Sequence, residues 1–344
     1  MKQLHVMLLL AAGIMFCSCT GNLAEEMASF GDCTQVSVAN WNLQTFFDGT
    51  KDGCEYKEYQ KSADWNTQTY KVRLERLCEF ITKTDADIYV FEEMEKEEIF
   101  YDISNQLAGS GHNWNQKKFW NYSVFAKEEG TAIGIGILSR YPLSNVKTHS
   151  MDIRIHSTDQ PVTRYILEAQ ASIEKNQLII LANHWKSKSG GEVETEIWRD
   201  WQENILGKRL SELQQNPDSP AVLICGDFNR DAKDFVCSFD QTDKGNTIIR
   251  FAGFGFTDFV SVKSLWFTSS GNYTSAKGSY FYDNEWEHID NIMLLGEIQK
   301  TAFYPSAVSP WASEAGYPVP YKLYSGQGWS DHLPLYAVLK FYND

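Results

Sequence analysis

The sequence predicts an α/β protein built as one large domain. Three observations carry this reading. Apolar runs of strand length recur from residue 36 to residue 341. Two longer stretches between them have helical periodicity. Polar residues then keep falling at the carboxyl ends of the apolar runs, at Asn42, Glu93, His184 and Asp227. The chain has 344 residues, 43% of them hydrophobic and 14% aromatic, which is ample for one core. Length alone suggests two domains, but β-rich sandwiches often pass 200 residues as one unit. No internal repeat or low-complexity tract interrupts it.

The elements follow in order. Lys2 and the apolar stretch at 6–16 have the form of a targeting segment, too short to span a bilayer as a stable helix. Cys19, after a small Ser, resembles the acylated cysteine of a bacterial lipoprotein; the alternative is ordinary cleavage after a small residue. Either way the protein leaves the cytoplasm. Residues 1–18 therefore read as a signal peptide, 19–34 as a tether and 35–344 as the single domain. Strands are expected at 36–43, 86–94, 132–139, 164–173, 177–185, 221–229, 286–295 and 331–341. Leu74, Leu77, Cys78 and Ile81 repeat at i, i+3, i+4, i+7, an amphipathic helix. A second helix covers 197–214, with Trp198, Trp201, Ile205 and Leu213 expected on one side. The Gly-rich run at 130–139 has no GK[ST] and no helix after it, so it reads as a strand with close backbone contacts and not as a nucleotide loop.

The seven cysteines contain no CxxC pair, which excludes a zinc ribbon. An exported protein can hold disulfides; Cys33 and Cys54 flank the first strand and could pair. Cys225 reads as a core residue.

Several short segments carry chemistry. In "CGDFNRD", Asp227 and Asn229 follow a five-residue apolar run; they either serve a reaction or simply turn the chain. Glu92 and Glu93 are adjacent in a strand, so they point to opposite faces and at most one naturally faces a site. Asp290 alternates out of an apolar strand pattern and needs a partner. His332, which follows Asp331, is the favoured partner, with His288 less favoured.

Together these segments resemble the endonuclease/exonuclease/phosphatase superfamily of metal-dependent phosphoesterases. The matching pieces are "NWNL", "DADIYVFEEM", "GIGILSRYPL", "NHWKS", "GDFN", "HIDNI" and "SDHLPL", in the family's order across residues 36–341. "NHWKSKSGGEVETE" looks most like secreted bacterial nucleases of the superfamily. The resemblance implies a four-layer α/β sandwich, two mixed β-sheets packed face to face and flanked by helices. It implies that Asn42 and Glu93 bind a metal with Asp331, and that Glu92 replaces the usual Gln. It implies that Asp227 positions or deprotonates water and Asn229 holds it. His184 and His332 would contact the scissile phosphate, Asp290 would orient His332, and Arg164 would face the phosphate. Some abasic-site nucleases carry an acid two residues after the first Asn, where this chain has Gln44, and their tyrosine motif is not evident; that branch is disfavoured.

The implied chemistry suits these residue types. A hard cation, Mg²⁺ or Mn²⁺, takes oxygen ligands and offsets charge developing on a phosphate. Lys186 and Lys188 lie on the side of His184 if its strand continues, and would supply positive potential in a chain of net charge -14. The alternative is a solubilising loop. The expected function is a metal-dependent nuclease for DNA or RNA, exported, monomeric and held at a membrane through Cys19. A sphingomyelinase-like or inositol-phosphate phosphoesterase is the first alternative, and a non-catalytic surface-binding lipoprotein the second. The acidic balance disfavours tight duplex binding, which rests on cationic contacts to phosphates.

Overall fold

In the computed structural model, residues 34–110, 119–151, 160–216, 220–235, 247–251 and 258–341 are described. The signal peptide and nearly all of the tether lie outside them, with Cys19 and Cys33, and so does any test of the Cys33–Cys54 pairing.

Two sheets form the middle of the molecule. The first has six strands in the order β14-β15-β1-β2-β4-β3: β1 is Gln35–Phe46, β2 Ile88–Met94, β3 Tyr122–Ala126, β4 Gly134–Ser139, β14 Ile298–Pro305 and β15 Leu335–Phe341. The second has seven, β5-β6-β7-β8-β13-β10-β9: β5 is Leu143–His149, β6 Ile166–Ile173, β7 Asn176–His184, β8 Ala221–Asp227, β9 Thr247–Phe251, β10 Asp258–Ser264 and β13 Asp290–Leu295. Each sheet contains one parallel pair, β1 with β2 and β7 with β8, among antiparallel neighbours. Each parallel pair is joined through a helix, as a parallel connection requires. Thr67–Thr84 (α2) joins the first pair and Glu192–Gln214 (α4) the second. The short α1 (Lys57–Lys61) precedes α2, and α3 (Glu98–Gly109) follows β2.

The period-2 alternation sorts each strand between two cores. Val36, Val38, Ile88 and Val90 meet Ile180 and Leu223 between the sheets. Ala39, Trp41, Tyr89 and Phe91 point the other way, onto α2 and α3. On the far side, Leu206, Leu210 and Leu213 of α4 cover Val222, Ile224 and Met293. These are the four layers that the resemblance implies.

Local chemistry fixes the ends of the elements. Asn66 caps α2 by accepting hydrogen bonds from the backbone N–H groups of Gln68 and Thr69. The glycines of β4 are needed for close approach: a Cβ on Gly136 would lie 2.4 Å from the Phe100 ring of α3. Gly226, at φ +139°, leaves room for β7, since a Cβ there would lie 1.9 Å from the Asn183 carbonyl oxygen.

One expectation needs correction. The apolar stripe of α4 is not Trp198-Trp201-Ile205-Leu213. Trp201 and Ile205 are only half-buried, while Arg199, Gln202 and Glu203 lie inside with Leu206 and Leu210. Polar groups occupy that face because they are paired. Arg230 reaches Glu203 at 2.5 Å and Asp200 at 2.6 Å, and Arg250 reaches Glu203 at 2.8 Å. Glu98 opens α3, which buries Ile99, Phe100, Ile103 and Leu107.

Candidate active site

Both parallel pairs open at their carboxyl ends onto one cavity of about 770 Å³. Strand register sets the level of each functional residue. Asn42 of β1 pairs with Glu92 of β2, and His184 of β7 pairs with Asp227 of β8. Asp290, first residue of β13, also pairs with Asp227. The two sheets meet where the Asn42 amide nitrogen donates to Asp227 Oδ2 at 3.0 Å.

Glu92 and Glu93 depart from simple alternation. Glu92 continues the inter-sheet face of Ile88 and Val90. Glu93 should then face the helices with Phe91, but its φ is +63° and the register against β4 shifts between Glu92 and Met94. This bulge turns Glu93 into the cavity as well. There Glu93 Oε2 accepts the Thr45 N–H at 2.6 Å, and Oε1 lies 3.8 Å from His184 Nε2. Thr45 and Gln44 are themselves left-handed, at φ 56° and 52°. The buried guanidinium of Arg73 holds that turn by donating to the carbonyls of Leu43, Gln44 and Thr45 at 2.5 to 2.8 Å. Gln44 clamps the same turn to Tyr321: its Oε1 accepts the Tyr321 N–H at 2.7 Å.

Asp227 is buried. Its Oδ1 accepts the backbone N–H of Asn229 at 2.8 Å, so the turn reading of "DFN" holds, and both residues line the cavity. Burial and Asp290 push the Asp227 carboxyl up to about 7, against the opposing charge of His332. Asn229, left-handed at φ 48°, donates from Nδ2 to the Trp185 carbonyl.

The histidines are driven apart. Asp290 Oδ2 lies 2.8 Å from His332 Nδ1, making His332 and not His288 its partner. Burial opposes charge on His332, yet Asp290, Asp331 and Asp227 together hold it well above the ordinary value. His184 is equally buried, and burial, Arg164 and His332 hold it well below. Its Nε2 is 3.8 Å from both Glu93 and Asp227, and its Nδ1 has no partner among the described residues. One cavity therefore pushes its two imidazoles in opposite directions, the separation that acid–base chemistry uses. His288 instead pairs with Asp231 at 3.6 Å.

The remaining expected residues divide. Asp331 lines the cavity, with Oδ1 3.9 Å from His332 Nε2. Arg164 sits just before β6, not within a strand, and donates to the Trp185 carbonyl at 3.2 Å beside His184. The lysines do not continue the strand as expected, because β7 ends at His184. Lys186 turns back to donate to the carbonyls of Ser187 and Ser189, outside the cavity wall. Lys188 lines the cavity, but its ammonium is bound to Glu287 at 2.8 Å and Glu192 at 3.0 Å. Asn42 Oδ1 accepts the Gln44 N–H at 2.9 Å, while its amide nitrogen donates to Asp227 at 3.0 Å and lies 3.4 Å from Glu93 Oε1.

Two parts of the site do not stand out in the sequence: Arg73, and the cavity wall formed by the hairpin β11 (Tyr280–Tyr282) and β12 (Glu285–Glu287). Tyr280 lies 4.7 Å from the His332 ring and stacks at 11° on Tyr282. A signal was present: Asp283-Asn284 between aromatic residues. Both adopt positive φ, 47° and 65°, as a two-residue hairpin turn needs.

Two face-to-face mixed sheets with paired acids and histidines at their shared rim define a phosphoesterase-type sandwich. Residues 37–340 match the Endonuclease/Exonuclease/phosphatase family, and the chain belongs to it. No curated protein matches the sequence. Among solved structures, truncated Caenorhabditis elegans TDP2 is 16% identical, covers 90% of this chain and 98% of its own, and gives a TM-score of 0.53. The human Nocturnin catalytic domain with bound sulfate anion is 16% identical, with 90% and 95% covered and a TM-score of 0.52. ANGEL2, described as a 2',3'-cyclic phosphatase, is 13% identical, with 90% and 95% covered and a TM-score of 0.57. Likeness at these identities is likeness of fold.

The donor set fits a hard divalent cation. Glu93, Asp227 and Asp331 share the cavity, and carboxylates rather than thiolates supply its charge. The fully buried Glu92 carboxyl has no hydrogen-bond partner on either oxygen among the described residues. Burial, Asp290 and Asp227 push it well above the ordinary range. A neutral Glu92 matches the neutral Gln that the resemblance implies at this position.

Proposed function

We propose that the protein hydrolyses phosphodiesters with a divalent metal ion, Mg²⁺ or Mn²⁺, and that its substrate is a DNA or RNA strand. The observation that carries this reading is the convergence on one cavity of Glu93, Asp227 and the Asp290–His332 pair around His184. Glu93 and Asp331 would hold the cation, which when bound offsets charge building on the phosphate. Asp227, fixed by Asn42 and by the Asn229 N–H, orients the attacking water and accepts its proton; its raised proton affinity suits a base near neutral pH. His332, kept cationic and aimed by Asp290, donates to the nonbridging oxygens where charge grows. His184, neutral, supplies a second hydrogen bond from the opposite strand pair. Tyr282, largely exposed and stacked on Tyr280, offers a face for a base. The protein would act outside the cytoplasm as a monomer, tethered through Cys19.

One observation favours a second reading. Glu192, Asp283, Glu285 and Glu287 line the same cavity, and Glu192 and Glu287 neutralise Lys188. Acids beside two tyrosine faces suit a phosphodiester with a cationic headgroup, as in sphingomyelin. A panel of plasmid, single-stranded DNA, RNA, sphingomyelin and inositol phosphates, each with Mg²⁺ and with chelator, separates the two. Metal-dependent cleavage of an oligonucleotide supports the first reading; cleavage of sphingomyelin alone replaces it with the second.

A further inference from the structure

A second acidic cluster lies outside the cavity just described. Asp52, Glu55 and Glu95 each bring a ligand oxygen within 4.8 Å of the others. Two ligands of one Ca²⁺, each 2.3–2.6 Å from it, stand no more than about 5 Å apart, so this spacing fits a shared ion. Acidic clusters are common, and spacing alone means little. The decisive feature is Glu95. It is 1% exposed, and its Oε1 has no hydrogen-bond partner among the described residues. A buried carboxylate oxygen without a donor carries an uncompensated desolvation cost.

The surroundings do not relieve it. Glu95 Oε2 is already engaged by the Asp48 N–H at 2.6 Å. Glu55, 4% exposed, accepts the N–H groups of Asp52 and Gly53, one on each oxygen, and each oxygen keeps a lone pair. Asp52 Oδ1 accepts the Cys54 N–H, and the Cys54 thiol also bonds to this carboxylate. Lys96 pairs with Asp48, and Lys51 donates to the Ser62 carbonyl. The cations that act on these four carboxylates are Lys96, already paired with Asp48, and Lys127 near Asp52.

We infer that Asp52, Glu55 and Glu95 form a second cation site, one that takes Ca²⁺. Loop-borne carboxylates of irregular spacing suit the flexible coordination of Ca²⁺ better than the strict octahedron of Mg²⁺. The site shares no residue with the cavity. It would tie the loop after β1 to the end of β2, two residues beyond Glu93, and so brace the bulge that aims Glu93.

The test is calorimetric titration of Ca²⁺ into the full chain carrying Glu93→Gln, which weakens the cavity as a competing site. The expected result is one Ca²⁺ per chain, with affinity lowered about tenfold or more by either Asp52→Asn or Glu55→Gln, each removing one charged ligand. Asp52 is exposed, so its variant keeps the test sound if Glu55→Gln fails to fold. Wild-type Tm should also rise with Ca²⁺ and rise less in Asp52→Asn, as binding to the folded state requires. Absence of bound Ca²⁺, or Ca²⁺ bound with unchanged affinity in Asp52→Asn, overturns the inference.

Discussion

Glu93 reaches the cavity through a backbone angle that a glutamate rarely adopts. Holding a non-glycine residue in the left-handed region costs on the order of 1 kcal/mol, and such strain persists only where the surroundings enforce it. Here Arg73 and the Thr45 N–H do so. Alternation correctly places Glu92 and Glu93 on opposite sides of an ideal strand, but a bulge leaves no mark in the letters "FEEM". The Asp290–His332 pair was legible, because an acid alternating out of an apolar strand needs a partner. Arg73 was not, because one more arginine on a helix reads as surface. Glu93→Gln should lower turnover by a factor of about 10² or more, since a charged ligand is lost. Glu92→Gln should leave turnover within a few-fold, because that carboxyl has no hydrogen-bond partner to lose. Steady-state kinetics of both variants checks the pair, and the reverse pattern would move the metal ligand to Glu92.

At the scale of elements, the segment after β7 shows how a strand end changes the meaning of its sequence. Two lysines alternating after His184 read as a basic face only while the strand runs on, and it stops at His184. Lys188 instead links α4 to the β11–β12 hairpin through Glu192 and Glu287. Lys188→Gln should therefore leave KM for an oligonucleotide and its salt dependence nearly unchanged, and cost under about 1 kcal/mol of stability, the usual range for a partly exposed pair. A KM that rises and loses its salt dependence would restore phosphate capture to that lysine. On β6, Glu168 is gripped by Arg209 at 2.7 and 2.8 Å and by His149 at 2.8 Å. Burial alone would raise its carboxyl, but these partners and Lys147 bring it down to about 2. The folded value lies below the unfolded one of about 4.3, so this clamp stabilises the fold above that pH and is lost as pH falls toward 2. Urea unfolding at pH 7 and pH 3 should show Glu168→Gln less stable than wild type at pH 7, with a smaller gap at pH 3. An equal gap at both would remove Glu168 from the acid response.

At the scale of the molecule, the repeated unit is a parallel strand pair joined through a helix, one in each sheet. Each pair brings two polar residues to its carboxyl end, and packing the sheets face to face joins the two ends into one rim. The repetition of Asn42, Glu93, His184 and Asp227 at strand ends was legible because strand direction decides where side chains gather. The edge strands β3, β5, β9 and β14, and β10 beside β9, were not, since their half-exposed sequences carry too little apolar periodicity. The β11–β12 hairpin was not legible either, since only its two-residue turn signals it, and it is the part that gives the cavity its acidic wall. The most direct measurement is hydrolysis of a small chromogenic phosphodiester by the purified chain, with Mg²⁺, with chelator, and with Mg²⁺ restored. The account predicts turnover with Mg²⁺, its loss with chelator, its return on restoration, and its loss by about 10²-fold or more in His332→Ala, where one donor to the growing charge is removed. Turnover that survives both the chelator and His332→Ala would contradict it.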